Sequence, residues 1–200
     1  MWLHDNESLV YRLKNRYNEM TKVIRDWHYF KETTMTASDF PPNPLEKAGY
    51  ILEFHDEFED AKLDTCKWIP YYLPQWSSRE VSRPQYTFAP SNLVLQITEN
   101  QAPWCPEFDG EVIVSSIQTG LFAGDVGSTI GQHRFKDVCM VREAQDNVQL
   151  YTPQYGYFEI RAKAVANPRN MVALWMIGYE DTPEKSGEIA IFEIFGKTIT

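Results

Sequence analysis

Apolar and polar residues alternate along this chain in two rhythms, and the change between them divides it. Leu9, Leu13, Tyr17, Met20, Ile24 and Trp27 recur at spacings of four, four, three, four and three. That draws one apolar stripe down a 3.6-period helix. Arg12, Lys14, Arg16, Glu19, Lys22, Arg25 and Asp26 fill a solvated face, and Asp5 or Asn6 stands where a cap belongs. An amphipathic α-helix is therefore expected within residues 1–34. Its stripe needs cover, either from the rest of the chain by intramolecular docking or from self-association or a partner protein. Pro41, Pro42 and Pro44 follow among Ser, Thr and Asn. Proline removes a donor and fixes φ, so 35–49 reads as a linker.

From residue 50 the period falls to two. Asn92 to Thr98 sets Leu93, Leu95 and Ile97 on one face, and Glu111 to Gln118 alternates Val112, Val114 and Ser116 with Ile113, Ser115 and Ile117. Tyr157 to Val165 places Phe158, Ile160, Ala162 and Ala164 opposite Tyr157, Glu159, Arg161 and Lys163. Met171 to Ile177 is nearly continuous apolar, as for a strand buried on both faces, and Glu188 to Phe195 is the last clear strand. Short alternating runs between turn residues are the signature of an all-β fold. Gly120, Gly124, Gly127 and Gly131 mark 120–150 as a long, mobile loop region, with one strand expected around Lys136 to Arg142.

The strand from Glu188 carries the chemistry. Glu188 and Glu193 interrupt an apolar run, Ile189-Ala190-Ile191-Phe192, and an odd spacing aims them at opposite faces of a regular strand. One extra residue bulged out at Ile191 and Phe192 would return them to a common face. Four rises span roughly 13 Å. Side chains leaning over a concave sheet can shorten that toward the ~5–5.5 Å at which retaining glycosidases hold their carboxyls. Two carboxyls that close resist double ionisation, which leaves one ionised to attack and the other protonated to donate. The plainer alternative is two solvent-facing glutamates on an ordinary sheet.

Charge and composition narrow the partners. The formal net charge is -9, and no basic stripe offsets it, which argues against nucleic acid. No run approaches the ~18 apolar residues of a membrane span, and the start lacks the apolar run of a signal peptide. Aromatics make up 14% of the chain. Trp68, Tyr71, Tyr72, Trp76 and Trp104 cluster in irregular, proline-containing segments. Of these, Tyr72, Trp76 and Trp104 are expected to contact sugar, whereas Trp68 is expected in the core. Cys66, Cys105 and Cys139 are too scattered for a disulfide framework or a zinc site, leaving open three free thiols or one disulfide with one thiol. The four histidines show no metal-ligand spacing, and no metal or other cofactor is called for.

Several segments, in order, resemble those of glycoside hydrolase family 16, the β-glucanase, laminarinase, agarase and carrageenase group. They are Phe54-His55-Asp56-Glu57-Phe58 with Leu63-Asp64 and Lys67-Trp68, then Ser91-Asn92-Leu93-Val94-Leu95, then Tyr155 to Lys163. Ala173-Leu174-Trp175-Met176 and Gly187 to Glu193 complete the set. The resemblance implies a concanavalin A-like jelly-roll β-sandwich over 50–200. It implies Glu188 as nucleophile, Glu193 as acid/base and Trp175 as a cleft tryptophan, with core packing the other reading of Trp175. The implied function is retaining endo-cleavage of a β-linked polysaccharide, a β-1,3- or mixed-linkage glucan or an algal galactan, in an extracellular setting.

Three departures qualify the resemblance. The aspartate expected between the two glutamates is Ala190, whose methyl cannot hydrogen-bond the nucleophile. Met171-Val172 replaces an expected Trp-Pro. The family's pattern also continues past the catalytic strand, so 50–200 corresponds to that domain without its C-terminal part. The first two departures fit an alternative, a carbohydrate-binding module that kept the cleft and lost the chemistry. A third reading is an interaction role through the N-terminal helix.

Overall fold

A computed structural model describes residues 44–198 together with two short strands, β1 (Trp2–Leu3) and β2 (Tyr11–Arg12). Apart from those strands, the helix expected in residues 1–34 lies outside the described residues, as do residues 35–43 of the linker. Contacts divide the chain into two units, Met1–Lys14 with Phe54–Thr200, and Asn15–Glu53. Residues 44–53 of the second unit form an exposed stretch with one turn. It is closed by the Tyr50 amide on the Lys47 carbonyl at 3.0 Å, with Gly49 at φ +84°.

The first unit continues with β3 (His55–Asp56), β4 (Gln85–Ala89), β5 (Asn92–Gln96), α1 (Pro106–Asp109) and β6 (Ile113–Val114). β7 (Gly120–Leu121), β8 (Val148–Gln149), β9 (Asn170–Ile177) and β10 (Glu188–Phe195) follow. The order β10-β9-β2-β6 makes one four-stranded sheet, while β4-β5, β7-β8 and β1-β3 are two-stranded. The fold is therefore β-rich, in small and mostly antiparallel sheets with little helix. Two strands follow the sequence pattern closely. β10 has the expected bounds, and β9 adds only Asn170.

Local chemistry explains the β4–β5 hairpin. Pro90-Ser91 makes a two-residue connection with Ser91 at φ +56°, and the Asn92 side-chain amide donates to the Pro90 carbonyl at 2.7 Å. Tyr86 then faces Leu95, and Phe88 faces Leu93, as apolar cross-strand pairs. Two apolar clusters form the core. One gathers Tyr72, Leu73, Trp76, Trp104, Cys105, Phe108, Val114, Cys139 and Val141; the other gathers Phe54, Phe58, Leu63 and Trp68. In the second, the buried Asp56 carboxylate accepts from Trp68 Nε1 at 2.8 Å and from the Phe58 amide at 2.9 Å. An otherwise costly buried carboxylate is thereby satisfied.

Four expectations need correction. Tyr157 to Val165 forms no strand: among the described residues no ladder partner lies beside it, and Tyr155 and Tyr157 stay exposed. The strand expected over Glu111 to Gln118 shrinks to β6. Beyond it the buried Ser115 hydroxyl links the neighbours, accepting from the Gln85 amide and donating to the Gln96 carbonyl, and Gln118 keeps a single antiparallel bridge to Ile69. β9 is not buried on both faces; only Val172 and Ala173 are buried, and Leu174 to Ile177 are half-covered. Lys136 to Arg142 is irregular, yet Cys139 and Val141 anchor it in the core.

All three cysteines are free thiols; Cys66 is exposed and the other two are buried. Burial pushes the Cys105 thiol up to about 11, and it raises Cys139 as well. At pH 8 both stay protonated and shielded, and the thiolate is the reactive form. An aromatic disulfide reagent should therefore label one thiol quickly in the native protein and all three after unfolding in guanidinium. Rapid native labelling of two or three would contradict this packing.

Candidate active site

The pairing of β9 with β10 decides where the two glutamates point. Glu188 lies opposite Ile177, Ala190 opposite Trp175, and Glu193 opposite Ala173, with a register shift between Ala190 and Phe192. Directly opposed residues of an antiparallel pair share a face, and positions 173, 175 and 177 are two apart. Glu188, Ala190 and Glu193 therefore lie on one face with Trp175. Ile191 is the extra residue. Were Ile191 paired in a regular ladder instead, it would face Leu174 and Glu193 would fall opposite Val172, on the other face. Both glutamates are exposed, and neither has a hydrogen-bond or ion-pair partner among the described residues.

Trp175 is the half-buried aromatic of this face. Its ring lies 6.4 Å from that of Tyr72 and 6.0 Å from that of His133. The segments around 72 and 133 therefore lie over the same side as the glutamates. A cavity of about 770 Å³ runs beside the hairpin, its lining including Tyr72, Gln132, Trp175 and Glu188. The hairpin's connection is tight. A Cβ on Gly178 would collide with the Lys185 carbonyl oxygen, while the Gly178 amide donates to the Gly187 carbonyl at 2.8 Å. Only glycine permits that approach, and it sets the register that follows.

The loop aromatics expected to meet sugar are mostly core. Trp76 is 0% exposed and Trp104 is 1% exposed, so neither offers a ring face to a ligand. Trp76 gives its indole N–H to the Gln132 carbonyl at 3.0 Å, and Trp104 gives its own to Asp109 at 2.9 Å. Buried indoles with satisfied N–H groups are structural. Tyr72, 9% exposed, packs edge-on against Trp104 at 4.6 Å and contributes to the lining of the cavity. Trp68 is buried, as expected.

Four residues that sequence spacing did not single out, Gln132, His133, Glu180 and Ser186, lie beside these strands. The His133 amide donates to Glu180 Oε2 at 2.5 Å across 47 residues, and the Ser186 hydroxyl donates to Glu180 Oε1 at 3.1 Å. The Gln132 side-chain amide donates to the Gly178 carbonyl at 3.2 Å. No local pattern announces such a tie. Among the described residues no group of three or more His, Cys, Asp or Glu is placed to hold a metal ion, and no helix is long and apolar enough to cross a membrane.

No family model and no curated protein matches the chain. Among solved structures it is similar to the GlcNAcα1-4Gal-releasing endo-β-galactosidase from Clostridium perfringens, with 40% sequence identity over 80% of this chain and a TM-score of 0.69. The match covers 40% of that enzyme's chain. The chain is thus similar, over most of its own length, to part of a glycoside hydrolase.

Proposed function

We propose that this protein is a retaining endo-glycosidase of the family 16 type. Glu188 acts as nucleophile, Glu193 as acid/base, and the bond cut is a β-galactosidic one within a larger glycan. The observation that carries this reading is the β-bulge at Ile191, which gathers both carboxylates and Trp175 on one sheet face. The likeness to an endo-β-galactosidase supports the substrate class, in preference to a glucan. In the mechanism, Glu188 attacks the anomeric carbon while Glu193 protonates the departing glycosidic oxygen, leaving a glycosyl ester on Glu188. Glu193 then takes a proton from water, whose oxygen displaces the ester with net retention. Trp175 offers a flat apolar face to the pyranose beside the reacting centre.

The test is product release by the full-length protein from a glycan ending in GlcNAcα1-4Galβ, alongside laminarin, mixed-linkage glucan, agarose and carrageenan. Release of GlcNAcα1-4Gal, initially in the β configuration, is the expected result. Activity on none of them sinks the enzyme reading.

Ala190 favours a second reading, a glycan-binding module without catalysis, because it faces the same side as both glutamates and offers only a methyl. The two readings part on one variant. In a working enzyme, Ala190→Asp supplies a carboxyl able to hydrogen-bond Glu188. It should raise kcat by on the order of tenfold, the worth of one hydrogen bond to a charged group. In a pure binding module the same variant creates no turnover.

A further inference from the structure

The segment Gly131 to His133 is built with more care than a surface loop needs. A Cβ on Gly131 would meet the Trp76 ring at 3.0 Å, so the glycine lets the loop lie flat on that indole. The Gln132 carbonyl accepts from Trp76 Nε1 at 3.0 Å and from Gln75 Nε2 at 2.9 Å. Its amide donates to the Phe122 carbonyl at 2.9 Å. The residue before His133 is thus pinned from below by two fully buried side chains.

His133 itself stands at φ +51°, and Glu180, which holds its amide, stands at φ +61°. Left-handed backbone is uncommon outside glycine, less so for His than for Glu, and two such residues tied to one another tend to persist where a site requires it. The outcome is a half-buried imidazole 6.0 Å from Trp175 and 6.5 Å from Phe135, with its ring nitrogens unpartnered among the described residues. Trp175 in turn lies opposite Ala190, between the levels of the two glutamates.

Resting on the glycosidase reading above, we infer that His133 is a sugar-binding residue of the cleft. It hydrogen-bonds a hydroxyl of a galactose-containing unit that lies on Trp175, and Glu180 is the positioning residue that holds it there. An imidazole offers both a donor and an acceptor, which suits the paired demands of a sugar hydroxyl. A rigid loop over a buried floor supplies that contact without the entropy of ordering a mobile one. The hydroxyl-specific contact discriminates between sugars more sharply than stacking alone.

The experiment measures binding of the disaccharide GlcNAcα1-4Gal, with laminaribiose for comparison, by calorimetry in a Glu188→Gln background. His133→Phe keeps a flat ring and removes the hydrogen bond. It should weaken GlcNAcα1-4Gal binding by about tenfold, the worth of one such bond. Glu180→Ala should weaken it similarly, whereas Glu180→Gln, whose amide oxygen can still accept, should restore most of it. Unchanged urea midpoints in these variants separate the effect from unfolding. In active protein, His133→Phe should raise KM more than it lowers kcat. Binding unaffected by His133→Phe, or no saturable binding of GlcNAcα1-4Gal at all, overturns the inference. Wild-type protein that binds the disaccharide in a His133-dependent way yet cleaves nothing upholds the inference and sinks the enzyme reading instead.

Discussion

Glu188→Ala should reduce hydrolysis by more than ~10⁴-fold, beyond the 10²–10⁴ that a positioned acid or base contributes. Without its carboxylate no glycosyl ester can form at this position, and Glu193, the other carboxylate of the face, is assigned to proton transfer on the leaving-group side. The roles of the pair can then be read from rescue. In Glu188→Ala, added azide can enter the vacated space and attack the anomeric carbon in a single displacement, giving an α-glycosyl azide. In Glu193→Ala the ester still forms on substrates with good leaving groups, and azide displaces it from the other side to give a β-glycosyl azide. Identical azide anomers from the two variants would show that the assigned roles are wrong. Full activity in either alanine variant would remove both glutamates from the mechanism.

Trp76→Ala should cost about 3–5 kcal/mol of stability, the usual range for deleting a fully buried large aromatic. It also leaves the Gln132 carbonyl short of one donor and takes the floor from beneath Gly131. Trp76→Phe keeps much of the volume but loses the indole N–H, and should cost less, about 1–3 kcal/mol. Urea unfolding followed by far-ultraviolet circular dichroism checks both. The experiment also decides between the two uses first open to this residue. A sugar platform, once removed, leaves the unfolding midpoint in place and weakens binding. A core residue moves the midpoint. A stable Trp76→Ala protein with impaired binding would return Trp76 to the cleft.

The carboxylate pair was legible because its evidence is local. An odd spacing between two acids in an apolar strand conflicts with a two-residue period, and a bulge resolves the conflict within the strand itself. β9 and β10 were legible for the same reason, since runs of β-branched and apolar residues report the strand they form. Tyr157 to Val165 shows the limit of that reasoning. Its alternation is clear, but alternation says which side of a strand is apolar and nothing about whether a neighbour stands ready to pair with it. The loop aromatics show another limit. Trp76, Trp104 and Trp175 look alike as letters, and only their surroundings bury two of them fully and leave the third half-buried on the face of the glutamates.

By itself, then, the order of residues determined the β-rich character, the last two strands and the bulge that unites Glu188 with Glu193. Those depend on side-chain parity and backbone preference over a few consecutive residues. Tertiary structure alone decided that Trp76 lies beneath Gln132, that Glu180 clasps His133 across 47 residues, and that the 157–165 segment goes unpaired. Contacts between distant segments depend on which surfaces meet after folding, and no local period encodes that meeting.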